Sequence, residues 1–216
     1  KFPIIWLTTQ EENRTLDLIS EVAKTLKYKA YVWDDLQHWK GINEWLVESH
    51  FDDDDNQLPE LFLKTESLIE TFQNIDDYDA EEFGKTLFIY PDFHLELDDP
   101  GRYQLRAIII RELKWLAPRL RYKGCSIVII SNSYEVPAEL ENIIHLEEIR
   151  TPTLEELREE FDKILSSTSL EINEEIKAQA SRAALGLTLR QANHLFSKTI
   201  VAKPNNPEEW VDEITE

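Results

Sequence analysis

The turn after the first apolar segment is where this chain could bind phosphate. Residues 4–8 read IIWLT, and TQEEN follows at 9–13. A phosphate-cradling turn uses glycine to let the backbone approach the anion, then a Lys for charge and a Ser or Thr for Mg²⁺. Residues 9–13 contain no Gly and no Lys, whereas Glu11 and Glu12 add negative charge. We therefore expect this turn not to hold a triphosphate.

Polar residues at the ends of other apolar segments form a candidate ligand edge. In parallel α/β sheets, ligands bind at the carboxyl ends of the strands. This rule places four residues at the edge, namely Thr8, Asp34, Asp92 and Asn132. An Asn in this position is also a common turn or helix cap, so Asn132 alone does not indicate a ligand.

The elements that position these residues alternate between strand and helix patterns. The predicted strands span residues 3–8, 28–33, 86–92, 125–132 and 143–149. Helical spacing of apolar residues predicts helices over 11–26, 36–47, 58–72 and 101–116, the last stopped by Pro118. Because the strands are continuously apolar, they predict a five-stranded parallel sheet covered on both faces.

Strands disappear from residue 151 onward. Helices are predicted at 154–165, 173–185 and 188–201, with a short one after Pro207. The sequence therefore predicts two domains: an α/β core over 1–150 and a small all-helical lid over 151–216.

Composition excludes several classes of function. The chain of 216 residues has 43 acidic and 23 basic residues, a formal net charge of −20, so binding of nucleic acid by its whole surface is disfavoured. It has no apolar run long enough to span a bilayer. The histidines lack the spacing and companion ligands of a zinc site, and the acidic run at 52–55 lacks the Gly and closing Glu of a calcium loop. We expect no metal site.

Charge is unevenly distributed along the chain. Residues 102–123 hold seven basic residues against one Glu, and residues 48–82 hold thirteen acidic residues against one Lys. The basic surface of one copy could meet the acidic surface of another, since complementary charge steers association. The alternative is that both stretches are solvated or neutralise each other within one chain. The candidate interface residues are Arg102, Arg106, Arg111 and Lys114.

Several short motifs, in this order and spacing, resemble an AAA-type ATPase module. More closely, the chain resembles the N-terminal half of a conserved AAA ATPase-like family of cyanobacteria and plastids, known as a hypothetical chloroplast open reading frame. The resembling stretches are IIWLT at 4–8, YVWD at 31–34, FIYPDFH at 88–94 with LDDP at 97–100, VPAELE at 136–141, LEEIRTPTLEELR at 146–158 and GLTLRQA at 186–192. The resemblance implies an AAA+ fold whose N-terminal module is degenerate and is followed by an intact ATPase module.

The resemblance also implies roles for individual residues. Asp92 takes the position of the Walker B aspartate, but Phe93 stands where the catalytic glutamate is expected, so water activation lacks its base. Asn132 matches a sensor residue, and Arg190 could imitate a lid arginine that senses nucleotide. These are vestigial nucleotide-binding positions, and no catalytic residue is expected here. Active modules of the family carry an arginine between the sensor residue and the fifth strand that acts on the site of a neighbouring subunit. This sequence has no arginine between Asn132 and the fifth strand.

Two functions follow from these expectations. The first is a non-hydrolysing AAA-like domain that serves assembly or partner binding within a larger ATPase, its partner being a second copy or the C-terminal ATPase module. The alternative is an independent ligand-binding or nucleotide-binding module of weak residual affinity. No cofactor is expected for this segment, whereas ATP and Mg²⁺ are expected in the parent chain. That parent is expected to be longer, because the chain has no Met and starts directly in a strand, and to lie in the cyanobacterial cytoplasm or the plastid stroma.

Overall fold

The computed structural model describes residues 2–36, 38–45, 58–98, 103–168, 170, 172–204 and 206–215. The chain divides into two compact units, Lys1–Ile149 and Arg150–Glu216. The described strands all belong to the first unit.

One sheet organises the first unit. Its strands lie in the order β3-β2-β4-β5-β1-β6, and every pair is parallel except the antiparallel pair of β2 with β3. The strands are β1 (Ile4–Thr8), β2 (Lys29–Asp34), β3 (His38–Gly41), β4 (Thr86–Pro91), β5 (Ser126–Ser131) and β6 (Ile144–Glu148). The predicted α/β class, a mainly parallel sheet followed by helices, is confirmed, with β3 as a sixth strand at one edge.

Helices cover both faces of this sheet. They are α1 (Glu12–Leu26), α2 (Ile42–Trp45), α3 (Glu60–Leu63), α4 (Leu68–Asp77), α5 (Ala80–Phe83), α6 (His94–Asp98) and α7 (Tyr103–Lys123). Successive strand residues point to opposite faces. In β5, Ile127 and Ile129 join the apolar cluster of α4 and α7, whereas Val128 and Ile130 join the cluster of α1. The strand is continuously apolar because both of its faces are buried.

The helix predicted over residues 36–47 is wrong at its start. Residues 38–41 form β3, and α2 begins only at Ile42. Trp39 lies opposite Trp33 of β2, with ring centroids 5.6 Å apart, and both rings are buried. Leu36, the first apolar residue of the predicted helix, is exposed. Burial of an aromatic pair between strands outweighs the local helical spacing. Residues 46 and 47 lie outside the described part of the chain.

Two other predicted helix boundaries are wrong. The helix expected over 58–72 is divided into α3 and α4, and the Ser67 hydroxyl caps α4 by accepting from the Glu70 N–H. The long helix does not stop at Pro118 but continues to Lys123. Pro118 is exposed, so its missing N–H removes one hydrogen bond on the outer face while buried leucines hold the other face of α7.

The second unit is helical. Its elements are α8 (Leu154–Ser166), α9 (Glu174–Ala183), α10 (Leu189–Ala202), a 3₁₀ turn (Pro207–Glu209) and α11 (Trp210–Thr215). A capping box starts α8, since the Thr153 N–H donates to Glu156 Oε2 at 2.7 Å and the Glu156 N–H donates to Thr153 Oγ1 at 3.3 Å. Phe161, Phe196 and Trp210 form the centre of its apolar core. Throughout the described ranges, no helix is long and apolar enough to cross a membrane.

Candidate functional site

The turn between β1 and α1, the position at which a phosphate loop would follow the first strand, is only three residues long, 9–11. The Thr9 N–H donates to the Ser131 carbonyl oxygen at 2.8 Å, and the Glu11 N–H donates to Thr9 Oγ1 at 2.9 Å. Both N–H groups are therefore used inside the protein. A loop of the form G-x-x-x-x-G-K-[ST] spans eight residues and directs several N–H groups at the anion. This turn is too short to wrap a triphosphate in that way.

The first turn of α1 adds no positive charge to this edge. Arg14 pairs with Glu11 at 3.3 Å, and both side chains are largely buried. The Thr15 hydroxyl also bonds inward, donating to the Glu11 carbonyl oxygen at 2.8 Å. The Arg14 charge is thus balanced by Glu11, which leaves the Glu12 carboxylate to set the local potential.

A cavity of about 220 Å³ opens beside this turn, at the carboxyl ends of β1, β4 and β5. Asp92 and Asn132, both predicted from the sequence, meet there. None of the described residues that line it is basic; they are Thr9, Gln10, Glu12, Asp92, Ile130, Ser131 and Asn132. Two carboxylates on such a cavity make it unfavourable for a triphosphate.

Negative charge extends along the sheet edge from this cavity. Asp92 also lines a second cavity of about 210 Å³, together with Asp34, Asp35 and Glu96. Burial raises the pKa of Glu12 above its ordinary value, and the Asp92 and Asp34 carboxylates add to the rise. Removal of water and mutual repulsion of carboxylates therefore both act at this edge of the sheet.

The Glu12→Gln variant tests this electrostatic description. A carboxyl whose pKa is raised by folding binds its proton more tightly in the native state, so wild-type stability falls as pH rises above 4.5, the ordinary value. We expect Glu12→Gln to be more stable than wild type at pH 7, by less than about 1 kcal/mol because the group is partly exposed to solvent. The difference should vanish below the ordinary value. Urea denaturation across this pH range measures it.

Glu21→Gln, an exposed change on the same helix, is the matched control and should show no such pH-dependent difference. If Glu12→Gln were less stable than wild type at pH 7, the repulsion argument would be contradicted.

Asp92 departs from the strand that precedes it. Its φ angle is 51°, in the left-handed region that most residues avoid, and its carbonyl accepts from the Leu95 N–H at 3.0 Å. The next residue, Phe93, is buried against Phe72 and Tyr90. His94 Nδ1 lies 4.0 Å from Asp92 Oδ1, beyond hydrogen-bond distance. Asp92 thus occupies a tight turn with its side chain exposed, and the next position is filled by a core aromatic residue that cannot act as a base.

Asn132 and Asp34 lie in local turns. Asn132 is exposed just after β5, where the Ser133 N–H donates to Ser131 Oγ at 2.9 Å. Asp34 Oδ1 accepts from the Leu36 N–H at 2.7 Å, which fixes the turn between β2 and β3. Asp34 therefore has the structural role that turn residues commonly have, whereas Asn132 lines the cavity beside the turn after β1.

The other predicted residues lie away from this edge or outside the described residues. Arg190 is the second residue of α10, in the second unit, and is exposed. Arg106, Arg111 and Lys114 lie on α7, where Arg106 is partly buried and the other two are exposed. Arg102 lies outside the described residues, as does the acidic run at 52–55.

A cluster on α7 was not among the predicted site residues. Arg119 lies over the Trp115 ring, with its Cζ 3.5 Å from the ring centroid, and its Nε is 3.0 Å from Asp76 Oδ1 on α4. Part of the acidic stretch therefore neutralises part of the basic stretch within one chain. The spacing of Ile108, Trp115 and Tyr122, seven residues apart on the face opposite the core, is the sequence signal that could have found the cluster.

Among the residues that the structure covers, no three or more His, Cys, Asp and Glu side chains form a group suited to hold a metal ion. What the edge offers instead is carboxylate and amide oxygen in two small cavities. Such a surface accepts hydrogen bonds and repels anions.

Two domain models of one protein family match most of this chain. The family model described as "SpoVK-like AAA ATPase, N-terminal domain" matches residues 1–149, and "SpoVK-like AAA ATPase, second domain" matches residues 155–216.

Curated relatives are of uncharacterised function. The chain is 26% identical over 201 residues to "Uncharacterized AAA domain-containing protein ycf46" of Trieres chinensis, covering 93% of this chain and 36% of that protein. The protein of the same name from Guillardia theta is 25% identical over 202 residues, covering 93% and 35%. The chain therefore spans about a third of the length of the curated relatives it matches.

Solved structures of AAA proteins share the fold. A FIGL-1 AAA domain in complex with ADP superposes with a TM-score of 0.60 at 9% identity, covering 97% of this chain and 63% of that one. PCH-2 of C. elegans gives a TM-score of 0.56 at 14% identity, with coverages of 98% and 59%. At these identities the similarity concerns the fold alone.

Proposed function

This chain belongs to the SpoVK-like AAA ATPase family, the family its sequence motifs resemble, and we propose that it is a non-hydrolysing AAA-type domain that serves assembly or partner binding within a larger AAA protein. The observation that carries the proposal is the three-residue turn after β1, bordered by the carboxylates of Glu12 and Asp92. A sheet edge of this charge disfavours the triphosphate that the fold otherwise accommodates.

A second reason for the proposal is that residues near this edge are poorly suited to catalyse ATP hydrolysis. Phosphoryl transfer depends on positive charge and metal ions around the transferred group, with a base or positioned residue for the water. Arg14 of α1 is paired with Glu11, and Phe93 beside Asp92 is a core residue. Neither residue is therefore placed to act on a phosphate group, which supports a domain that has the sheet of the fold without its catalytic chemistry.

The remainder of the parent protein supplies the context of this proposal. We propose that ATP and Mg²⁺ act in an ATPase module C-terminal to this segment, and that the segment itself needs no cofactor. Its partner is then that module or a second copy of the chain. As its compartment we propose the cyanobacterial cytoplasm or the plastid stroma.

Titration with nucleotide tests the proposal. We expect calorimetry with Mg·ATP to show no saturation up to about 1 mM, an affinity weaker than about −4 kcal/mol. A phosphate-release assay should show no turnover above background. Asp92→Asn, which removes one carboxylate from both cavities, should leave turnover at background.

Two results would contradict this expectation: micromolar affinity for Mg·ATP, or turnover that is lost in Asp92→Asn. Either result would favour the alternative of a nucleotide-binding module. Arg182→Glu, on an exposed part of α9, is the control variant for nonspecific effects of charge on nucleotide affinity.

A further inference from the structure

Helix α7 carries a second stripe of side chains that faces away from the core. Residues 109, 113, 116 and 120 are buried against the sheet. Ile108, Arg111, Trp115, Pro118 and Tyr122 repeat at intervals of three and four on the opposite side, and all five are exposed. This spacing lets a helix present a continuous surface to a partner. The exposed fractions of Trp115 and Tyr122, 54% and 92%, are high for such large aromatic side chains.

Positive charge borders this outer stripe. Arg111, Lys114 and Arg121 are exposed on α7, and within the described residues no ion pair joins any of them to a carboxylate. Glu112 is the single acidic residue of the helix. The patch is therefore positive on a chain whose net charge is −20. A negatively charged partner would complement it.

The Trp115 ring is fixed before any partner arrives. Its Nε1 donates to Asp76 Oδ2 at 3.2 Å, Arg119 lies over its face, and Arg119 Nη1 donates to its backbone carbonyl at 3.0 Å. Next to it is a surface recess of about 480 Å³ lined by Asp76, Pro118, Arg119, Tyr122 and Lys123. A preorganised aromatic side chain loses little conformational freedom on binding. Trp, Tyr and Arg around a recess are the residues that dominate binding energy in protein interfaces.

We propose that the outer face of α7 binds an acidic polypeptide segment from outside this chain. Apolar side chains of the segment pack against Trp115 and, in the neighbouring recess, against Tyr122, and its carboxylates meet Arg111, Lys114 and Arg121. This inference rests on the proposed function, because it names the chemistry of the partner that such a domain would bind.

A second copy and a nucleic acid fit the same surface less well. The acidic helix α4 of the same chain already supplies Asp76 to Arg119, and two copies of net charge −20 repel each other. Nucleic acid derives its affinity largely from phosphate neutralisation, to which this face contributes Arg111, Lys114 and Arg121. An acidic segment with apolar residues uses both these charges and the exposed Trp115 and Tyr122 rings.

Binding of designed peptides to the 216-residue chain tests the proposal. The probe is a fluorescein-labelled peptide of three repeats of Glu-Leu-Glu-Glu-Leu-Glu-Glu, measured by fluorescence anisotropy. Two comparison peptides replace every Glu by Lys or every Leu by Ser. We expect the acidic, Leu-containing peptide to bind at least about tenfold more tightly than either. Its affinity should fall as salt rises from about 50 to about 300 mM.

Variants of the chain locate the binding site. Trp115→Ala, and separately the double change of Arg111 and Lys114 to Glu, should each weaken binding at least about tenfold. Tyr122→Ala should also weaken it, and its side chain is so exposed that the fold is unaffected. Arg182→Glu, which reverses an exposed charge of the second unit, and Leu185→Ala, which truncates an exposed apolar side chain there, should leave the affinity within about twofold.

Four results would overturn the inference. Two concern the peptide: the acidic peptide fails to bind, or its affinity is unchanged by Trp115→Ala and Tyr122→Ala. The third is that a single-stranded DNA of about 12 nucleotides binds more tightly than the peptide. The fourth is that the chain self-associates in sedimentation and that the same variants abolish the association. Each leaves the nucleotide titration unaffected. Conversely, ATP turnover would overturn the proposed function even if the peptide bound, so the two failures are distinguishable.

Discussion

Replacing Trp210 by alanine is expected to lower the free energy of unfolding of the helical unit by about 3 to 5 kcal/mol. The indole is fully buried, its edge meets Phe161 with centroids 6.1 Å apart, and its Nε1 donates to the Lys203 carbonyl at 2.8 Å. The change leaves a cavity and removes the indole hydrogen bond to the Lys203 carbonyl, which still accepts from the Asn206 N–H at 3.3 Å. In a unit this small, a loss of that size is a large part of the total stability.

Hydrogen exchange measured by mass spectrometry gives the readout for this variant. Protection should fall in α8, α9, α10 and α11. Trp210→Phe keeps an aromatic ring but removes the donor, so it should cost about 1 kcal/mol or somewhat more. Val201→Ala, on an exposed position of α10, should change stability by less than about 0.5 kcal/mol. Protection unchanged in Trp210→Ala would show that this ring is not the centre of the helical core.

Replacing Ile129 by alanine should lower the free energy of unfolding of the sheet unit by about 2 to 5 kcal/mol. Ile129 is fully buried in β5, between Trp6 of β1 and Tyr90 of β4 in the strand register. Because strands cover it on both sides and helices cover its face, the surroundings have little room to collapse into the cavity. Chemical denaturation followed by circular dichroism measures the loss.

Leu146→Ala is the matched control for Ile129→Ala. Leu146 lies opposite the same Trp6, but on the edge strand β6, where it is exposed. Its truncation should cost less than about 1 kcal/mol, because less apolar surface leaves contact with the protein. A near-neutral Ile129→Ala, or equal costs for the two variants, would show that β5 is not the central buried strand of this sheet.

The strands were predictable because their apolar patterns are long and uninterrupted. Residues 125–132 contain four consecutive apolar residues that belong alternately to the two faces of the sheet, so their burial does not depend on a particular neighbour. The caps of α8 and α10 were equally readable, since Thr153 with Glu156 and Thr188 with Gln191 are local pairs three residues apart.

Residues 36–47 were not predictable from local spacing. Trp39 and Ile42 fit a helix by period, yet Trp39 gains more by lying against Trp33 and between Phe62 and Tyr90. Those partners are remote in sequence or belong to another strand. The continuation of α7 through Pro118 has the same origin, because burial of its inner face outweighs one lost hydrogen bond.

The turn after β1 could be described from the order of residues alone: it has no glycine or lysine and carries Glu11, with Glu12 directly after it. The strand-ending positions of Asp34, Asp92 and Asn132 were equally visible in the chain, because apolar runs end there. That Asp92 and Glu12 share a cavity, and that Asp76 meets Arg119 on α7, became apparent only in the folded molecule. The difference is one of range, since composition and periodicity act within a few residues along the chain, whereas the convergence of charges depends on strand order and helix packing.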